Sequence, residues 1–219
     1  MSLTLYLHPL SSFCHKALTA LYENDTPFTP HIVDLGDPAA NAAFKKIWPV
    51  GKFPVLRDET VNRLIPESTS IIEYLSLHYP GHSKLIPDDA ESALRTRERD
   101  RFYDLNIHIP MQKIITDRIR PVGQNDTFGV AQSRELLTNA LGIVDKEMAV
   151  RTWAAGDRFT MADCAAAPTL FYVNMAVAPL AGSYDNLAAY LERLKQRPSY
   201  ARALKEAEPY LHMVPAEKL

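Results

Sequence analysis

The chain is poor in several features that mark specialised classes of protein. Its 219 residues include two cysteines, Cys14 and Cys164, too few for a disulfide framework or a zinc site built from cysteines. The formal net charge is −2, so no excess of positive charge favours nucleic acid or an anionic membrane. No apolar run approaches the ~20 residues of a membrane span. We therefore expect a globular, cytoplasmic protein with no nucleic-acid or membrane partner.

Signals for processing and for metal binding are absent as well. Residues Met1 to Leu5 carry no basic region, long apolar run or small-residue cleavage site, so we expect no signal peptide. The seven histidines show no ligand spacing such as His-Glu-x-x-His, so we expect no metal site. What the chain does have is an ordinary globular composition, with 47% hydrophobic and 23% charged residues, and enough length for a well-buried core.

The first part of the chain mixes strand and helix patterns in the order β-α-β-α-β-β-α. A helix joins the first two strands, so they should be parallel neighbours, whereas the last two should form an antiparallel hairpin. A small sheet with helices on its faces follows from this order. The predicted strands cover residues 3–7, 28–33, 55–57 and 62–65, and the predicted helices cover 13–22, 41–47 and 68–79.

Strand patterns end after Asp88 and long helical patterns replace them. Pro110 should kink the first of these helices rather than end it. Thr160 and Asp163 have the spacing of a capping box, which marks the start of a core helix. The predicted helices cover residues 89–120, 130–150, 161–177, 186–196 and 199–207.

The change in pattern predicts an α/β N-terminal domain followed by an all-α C-terminal domain. We place the first domain at residues 1–80, an extended linker at 81–88 and the second domain at 89–219.

Two short segments of the first domain carry the pattern of a binding site. Pro54 begins a strand without an N–H to donate, so the backbone N–H and C=O of Phe53 should be free for another partner. Glu67 and Ser68 open a helix and supply a carboxylate, a hydroxyl and unpaired helix N–H groups. An extended backbone edge beside a helix N-terminus suits a small peptide with a free amine and a carboxylate. Glutathione is such a peptide.

With these motifs the chain resembles the cytosolic glutathione transferases, and the resemblance covers essentially its full length. It rests on the loop 51–56, the Glu67–Ser68 pair, the Thr160–Asp163 capping box and their order along the chain. The active-site loop is similar to that of bacterial, serine-type members of the theta and zeta kind. The resemblance implies a thioredoxin-like N-terminal domain and an all-helical C-terminal domain. It also implies that the protein is a cytoplasmic homodimer and that it acts in detoxification. Its co-substrate would be glutathione, and its substrate would be a small hydrophobic electrophile.

The resemblance also assigns roles to particular residues. It implies that Pro54 is cis and that Phe53 makes paired backbone hydrogen bonds with glutathione, as an added strand does. Glu67 and Ser68 match the residues that hold the γ-glutamyl group. Lys52 lies where some bacterial members place a side chain near the peptide, although a lysine in a loop can also be merely solvated.

The reactive centre should lie in the loop after the first strand. Thioredoxin-like redox proteins place a Cys-x-x-Cys pair there, but this chain has Ser11 at the first position and Cys14 at the second. A serine hydroxyl can donate a hydrogen bond to the ionised thiol of glutathione. We expect Ser11 to do so, with Ser12 as a competing candidate, and the alternative role of either serine is to cap the helix.

Cys14 has two possible roles, and only the second is an alternative to a serine-type transferase. As a structural residue it is a small hydrophobe on the inner face of the first helix. As a functional residue it would form a mixed disulfide with glutathione and make the protein a thiol–disulfide oxidoreductase. A third hypothesis is a non-catalytic binding module of the same fold.

The electrophile should bind between the two domains. Asp100 and Asp104 lie on the same predicted helix, from which some members of the family reach the glutathione of the other subunit. The candidate residues lining the electrophile site are Leu10, Phe13, Tyr103, Ile107 and Met111. The alternative role of these apolar residues is to pack the helices against one another.

Overall fold

The computed structural model describes residues 2–217, so the outermost residues of the two expected domains lie outside the described residues. The α/β part has the predicted order of elements. Helix α2 begins earlier than the predicted residue 41, because the Asp37 side chain caps it and Pro38 fills its first turn. The elements are β1 (Leu3–Leu7), α1 (Ser12–Glu23), β2 (Thr29–Ile32), α2 (Pro38–Ile47), β3 (Val55–Asp58), β4 (Arg63–Pro66) and α3 (Ser68–His78).

The four strands form one mixed sheet in the order β2-β1-β3-β4. Strand β1 is parallel to β2 and β3 is antiparallel to β4, as predicted, and β1 also pairs antiparallel with β3. Tyr6 lies opposite Val55, and Val55 lies opposite Pro66. The end of β1, the start of β3 and the end of β4 therefore share one end of the sheet.

The second part of the chain is helical throughout its regular elements. The first predicted helix is a continuous helical run interrupted by a π turn, in which the N–H of Ile109 donates to the carbonyl of Asp104. Pro110 follows directly and does not end the run. The elements are α4 (Ala90–Phe102), the π turn (Tyr103–His108), α5 (Ile109–Asp117), α6 (Thr127–Met148), α7 (Met161–Ala176), α8 (Asp185–Lys195), α9 (Pro198–Ala207) and a 3-10 helix (Glu208–Met213).

Helix α7 is the core helix that the capping-box pattern predicts. The fully buried Asp163 carboxylate accepts from the Thr160 N–H at 2.8 Å and from the Ala154 N–H at 2.9 Å. The side chains of Ala165, Ala166 and Ala167 are fully buried. Helix α1 packs against this helix, so the first and second parts of the chain meet closely.

One hydrophobic core runs through both parts, from Leu3 in β1 to Ala203 in α9. Residues 81–88 contain no helix or strand, and we keep the division into 1–80, 81–88 and 89–219 as a proposal. Within residues 2–217, none of the helices combines the length and the hydrophobicity that a membrane-spanning segment needs. The mixed sheet and the all-helical part together confirm the predicted fold class.

Candidate active site

Three segments that are distant in sequence meet at one end of the sheet. They are the β1–α1 loop, the loop before β3 and the turn after β4, as the strand registers require. The rings of His8 and Phe53 lie 6.3 Å apart at an angle of 20°, which joins the first two segments. Lys16 Nζ donates to Thr69 Oγ1 at 2.7 Å and joins α1 to the first turn of α3.

Ser11 is the N-cap of α1. Its Oγ accepts from the Cys14 N–H at 3.4 Å, and its own N–H donates to the His8 carbonyl at 2.9 Å. Capping uses a lone pair of the oxygen, so the hydroxyl proton of the half-buried Ser11 remains for another acceptor. The cap and the proposed catalytic role are therefore compatible in one side chain.

Two buried aromatic side chains contact backbone carbonyls of the same loop. His15 Nε2 lies 2.6 Å from the Pro9 carbonyl, and the Tyr172 hydroxyl donates to the Leu10 carbonyl at 2.7 Å. Burial lowers the pKa of His15 to about 4, so its ring is neutral near neutral pH. His15 thus supports the loop rather than serving as an acid or base.

Ser12 makes a contact that the sequence analysis missed. Its Oγ lies 2.6 Å from Nε2 of His108, the last residue of the π turn. The other ring nitrogen, Nδ1, lies 3.3 Å from Thr169 Oγ1 of α7. The Phe13 ring stacks on the same imidazole, with 3.7 Å between centroids and 12° between planes. Two consecutive residues of the first turn of α1 therefore contact one histidine.

The imidazole of His108 is a neutral group in this setting. It is 1% exposed, and burial lowers its pKa to about 3, with the positive charge of the nearby Lys16 acting in the same direction. Because the protonated ring has so low a pKa, His108 is too weak a base to hold the thiol proton near neutral pH, and it is not a general base. No sequence signal pointed to it, because 96 positions separate it from Ser12.

Cys14 is fully buried, and burial raises the pKa of its thiol to about 12. Cys164 is also fully buried, and burial raises the pKa of that thiol as well. A nucleophilic cysteine needs access and a depressed pKa. The environment of Cys14 therefore favours its structural role.

The loop before β3 presents backbone groups as the sequence indicated. The peptide bond between Phe53 and Pro54 is cis, which agrees with the family resemblance. Among residues 2–217, no backbone hydrogen bond uses the N–H or C=O of Phe53. The neighbouring Lys52 is exposed and forms no ion pair with any described residue.

The turn after β4 holds Glu67 in an uncommon conformation. Its φ of 69° and ψ of 125° lie outside the regions that non-glycine residues prefer. Its carbonyl accepts from the Ile71 N–H at 2.9 Å, while its exposed side chain makes no capping hydrogen bond. Ser68, the first residue of α3, is 4% exposed. The strained backbone leaves the carboxylate and the first N–H groups of the helix without a local partner.

A cluster of charged side chains lies beside this turn. The fully buried Lys16 Nζ lies 2.6 Å from Asp100 Oδ1 and 2.7 Å from Asp104 Oδ2. Burial raises the pKa of Asp104, although the attraction of Lys16 opposes that effect. Both carboxylates therefore pair with a buried lysine of their own chain.

The expected electrophile lining divides into two groups. Leu10 and Phe13 are half-buried beside the loop. The remaining three residues are at most 1% exposed in the core, which favours the packing alternative for Tyr103, Ile107 and Met111.

Comparison with known proteins identifies the family of this chain. A family model described as the glutathione S-transferase N-terminal domain matches residues 5–83, and the model of the C-terminal domain matches residues 102–198. Glutathione S-transferase GstB of Escherichia coli is 28% identical over 174 residues, 75% of this chain and 78% of that protein. The stringent starvation protein A homolog of Coxiella burnetii is 27% identical over 215 residues, 97% of this chain and 96% of that protein.

A solved structure supports the same assignment at the level of the fold. The glutathione S-transferase of Methylobacillus flagellatus with glutathione bound superposes with a TM-score of 0.84 at 24% identity, covering 92% of this chain and 98% of that one. The two family models together span both parts of the chain in the expected order. This protein belongs to the glutathione S-transferase family.

Proposed function

We propose that this protein is a glutathione transferase that ionises the thiol of glutathione for attack on a small hydrophobic electrophile. The observation that carries the proposal is the meeting, at one end of the sheet, of Ser11, the unpaired backbone of Phe53 and the Glu67–Ser68 turn. These groups offer a separate partner to each polar part of the tripeptide.

The tripeptide would bind as an added strand. The N–H and C=O of Phe53 pair with the cysteinyl residue of glutathione. The Glu67 carboxylate pairs with the γ-glutamyl ammonium, while the Ser68 hydroxyl and the first N–H groups of α3 accommodate the γ-glutamyl carboxylate. Lys52 lies next to Phe53 and can pair with the carboxylate at the other end of the peptide.

The groups at the start of α1 can supply the free energy that ionisation of the glutathione thiol requires. A thiol with a pKa of about 8.5 is only a few per cent ionised near neutral pH, and lowering that pKa by ~2 units requires about 2.7 kcal/mol. A hydrogen bond to a charged group contributes ~1.5–3 kcal/mol, and Ser11 has the free hydroxyl proton to donate one. The N–H groups of the first helical turn add a favourable dipole.

The reaction then needs no nucleophile from the protein. The sulfur of glutathione forms a bond to the electrophilic carbon, the leaving group departs with its bonding electrons, and the thiol proton passes to solvent. Ser12 is buried against His108, whereas Ser11 is half-buried and keeps its hydroxyl proton, which favours Ser11 as the donor to the sulfur. The alternative of a thiol–disulfide oxidoreductase is disfavoured by the burial of Cys14 and its raised pKa.

A non-catalytic binding protein is the second candidate function. One relative that covers nearly the whole chain carries the name of a stringent starvation protein and not of a transferase. In that case the chain would serve as an interaction domain and would not lower the pKa of a glutathione thiol.

One titration separates these functions. Ultraviolet absorbance of the thiolate of bound glutathione would be followed against pH for the wild type and for Ser11→Ala. A bound thiol pKa well below that of free glutathione, moving upward in the variant, is the result expected of the transferase. Binding with an unshifted thiol would favour a carrier role or chemistry at Cys14, and no binding at millimolar glutathione would refute the transferase and favour the non-catalytic binding module.

Two further parts of the proposal concern location and assembly. Both cysteines are free and buried, which supports a reducing cytoplasmic compartment.

Membership of the family supports a homodimer, and light scattering after size exclusion would measure its mass. A monomer at micromolar concentration would refute the dimer without affecting the proposed chemistry.

A further inference from the structure

We propose that His108 is a positioning residue that acts on the thiol of glutathione through Ser12. By holding the Ser12 hydroxyl, it keeps the first turn of α1 oriented so that the Ser11 hydroxyl and the free N–H groups of that turn converge on the sulfur. The inference rests on the transferase function proposed above and assigns a role to a residue of the helical part of the chain.

The first support is that one imidazole contacts two consecutive residues of the turn. Its Nε2 lies 2.6 Å from Ser12 Oγ, and its face stacks on Phe13 with 3.7 Å between centroids. A hydrogen bond fixes a direction and a ring stack fixes a plane. Together they restrain the rotation of the turn that begins at Ser11 more than either contact alone.

The second support is the setting of His108 in its own segment. It is the last residue of the π turn, and Thr169 Oγ1 lies 3.3 Å from its Nδ1 and restrains the orientation of the ring. Within the π turn, Asp104 contacts Lys16 of α1 at 2.7 Å. Two polar contacts one helical turn apart thus hold α1 against the π turn. Such turns occur frequently at functional sites.

The third support is energetic. Ser12 is 8% and His108 is 1% exposed, so both polar groups lose water. A buried hydrogen-bonded pair contributes little net stability compared with a well-packed apolar pair of similar size. Stability alone therefore gives no reason for a serine and a histidine here, whereas a defined orientation of the turn does.

The test measures the pKa of the bound thiol in matched variants. His108→Phe keeps an aromatic ring against Phe13 but removes the hydrogen bond to Ser12, and Ser12→Ala removes the same bond from the other side. His108→Gln places an amide nitrogen near the position of Nε2. The control is His78→Phe, which alters an exposed histidine whose ring lies 4.4 Å from the Tyr74 ring of α3.

We expect His108→Phe and Ser12→Ala each to raise the bound thiol pKa by about half a unit to one unit, and to lower kcat below that pKa roughly three- to tenfold. The glutathione Kd should change by less than about twofold, because the groups that hold the peptide are elsewhere. The double variant should be no worse than either single variant, since both remove one interaction. His108→Gln should restore most of the wild-type pKa, and His78→Phe should match the wild type.

Two results would overturn the inference. One is an unchanged thiol pKa in a folded Ser12→Ala or His108→Phe protein, which would leave His108 a packing residue. The other is a His108→Gln protein that behaves like His108→Phe, which would remove the hydrogen bond as the cause. Should His108→Phe fail to fold, the Ser12→Ala and His108→Gln proteins still decide. Failure of the proposed function would show differently, as an unshifted thiol pKa already in the wild type.

Discussion

Lys16 Nζ lies 2.7 Å from Asp104 Oδ2, and this buried ion pair joins the helix that follows Ser11 to the π turn of the helical part. Asp100 Oδ1 lies 2.6 Å from the same nitrogen, and Thr69 Oγ1 accepts from it at 2.7 Å. Because Lys16 is fully buried, these partners take the place of water around its ammonium group. The contact between α1 and the helical part is therefore polar as well as apolar at its centre.

Lys16→Met should lower the free energy of unfolding by about 3 kcal/mol, because two buried carboxylates then keep, among the described residues, only the half-exposed Arg101 as a cationic partner. Urea denaturation measures the change. Lys84→Met is the matched control, since Lys84 pairs with Asp88 at the exposed surface and its loss should cost less than about 1 kcal/mol. Equal losses in the two variants would mean that the buried cluster contributes no more than a surface pair.

Ser11→Ala should lower turnover near neutral pH by about ten- to a hundredfold, the loss expected when one hydrogen bond to the thiolate is removed. Glutathione affinity should change much less, because Ser11 contributes to the reacting sulfur and not to the ends of the peptide. Steady-state kinetics with a chromogenic electrophile, beside the exposed control Ser183→Ala, measure both quantities. Unchanged turnover in Ser11→Ala, with a larger loss in Ser12→Ala, would transfer the role to Ser12.

Both cysteine thiols should be inert in the folded protein. Cys14 is fully buried with a pKa raised to about 12, and Cys164 is fully buried as well. An aromatic disulfide reagent that releases a coloured thiol should report far less than one reactive thiol per chain before unfolding and both thiols afterwards. Cys14→Ala should retain transferase turnover. A fast-reacting thiol that disappears in Cys14→Ala would restore the oxidoreductase hypothesis.

Asp58 should make stability depend on pH in the acid range. Burial alone would raise the pKa of this carboxyl, but hydrogen bonds from Thr60, Tyr79 and Tyr74 hold it below the usual value. A carboxyl whose pKa is lower in the folded state contributes its full stability above the unfolded pKa of about 3.9. That contribution is lost as the pH falls below this value.

Asp58→Asn should therefore lower the free energy of unfolding by about 2 kcal/mol at pH 7, with a smaller difference from the wild type at pH 3. Denaturant unfolding at the two pH values measures the effect. The exposed Asp157→Asn serves as the control and should change neither value appreciably. A difference that is the same at both pH values would show that the ionised carboxylate is not the stabilising form.

The helices and strands of this protein could be predicted from the sequence because each depends on residues that are close together along the chain. The hairpin of β3 and β4, the helix at Ser68 and the capping box at Thr160 and Asp163 each depend on residues within a few positions of one another. The free backbone of Phe53 and the helix start after Glu67 were predictable for the same reason. Helix boundaries differed where a cap was overlooked, as Asp37 shows for α2.

The sequence by itself determined the order of the elements, the two-part architecture and the segments that form the candidate binding site. The tertiary structure alone decided which polar side chains meet: His108 contacts Ser12 across 96 positions, and Asp104 contacts Lys16 across 88. It also decided that Tyr103 belongs to the core and not to a substrate surface. Helical periodicity shows that a face is buried but not which helix covers it, because that choice depends on the packing of the whole chain.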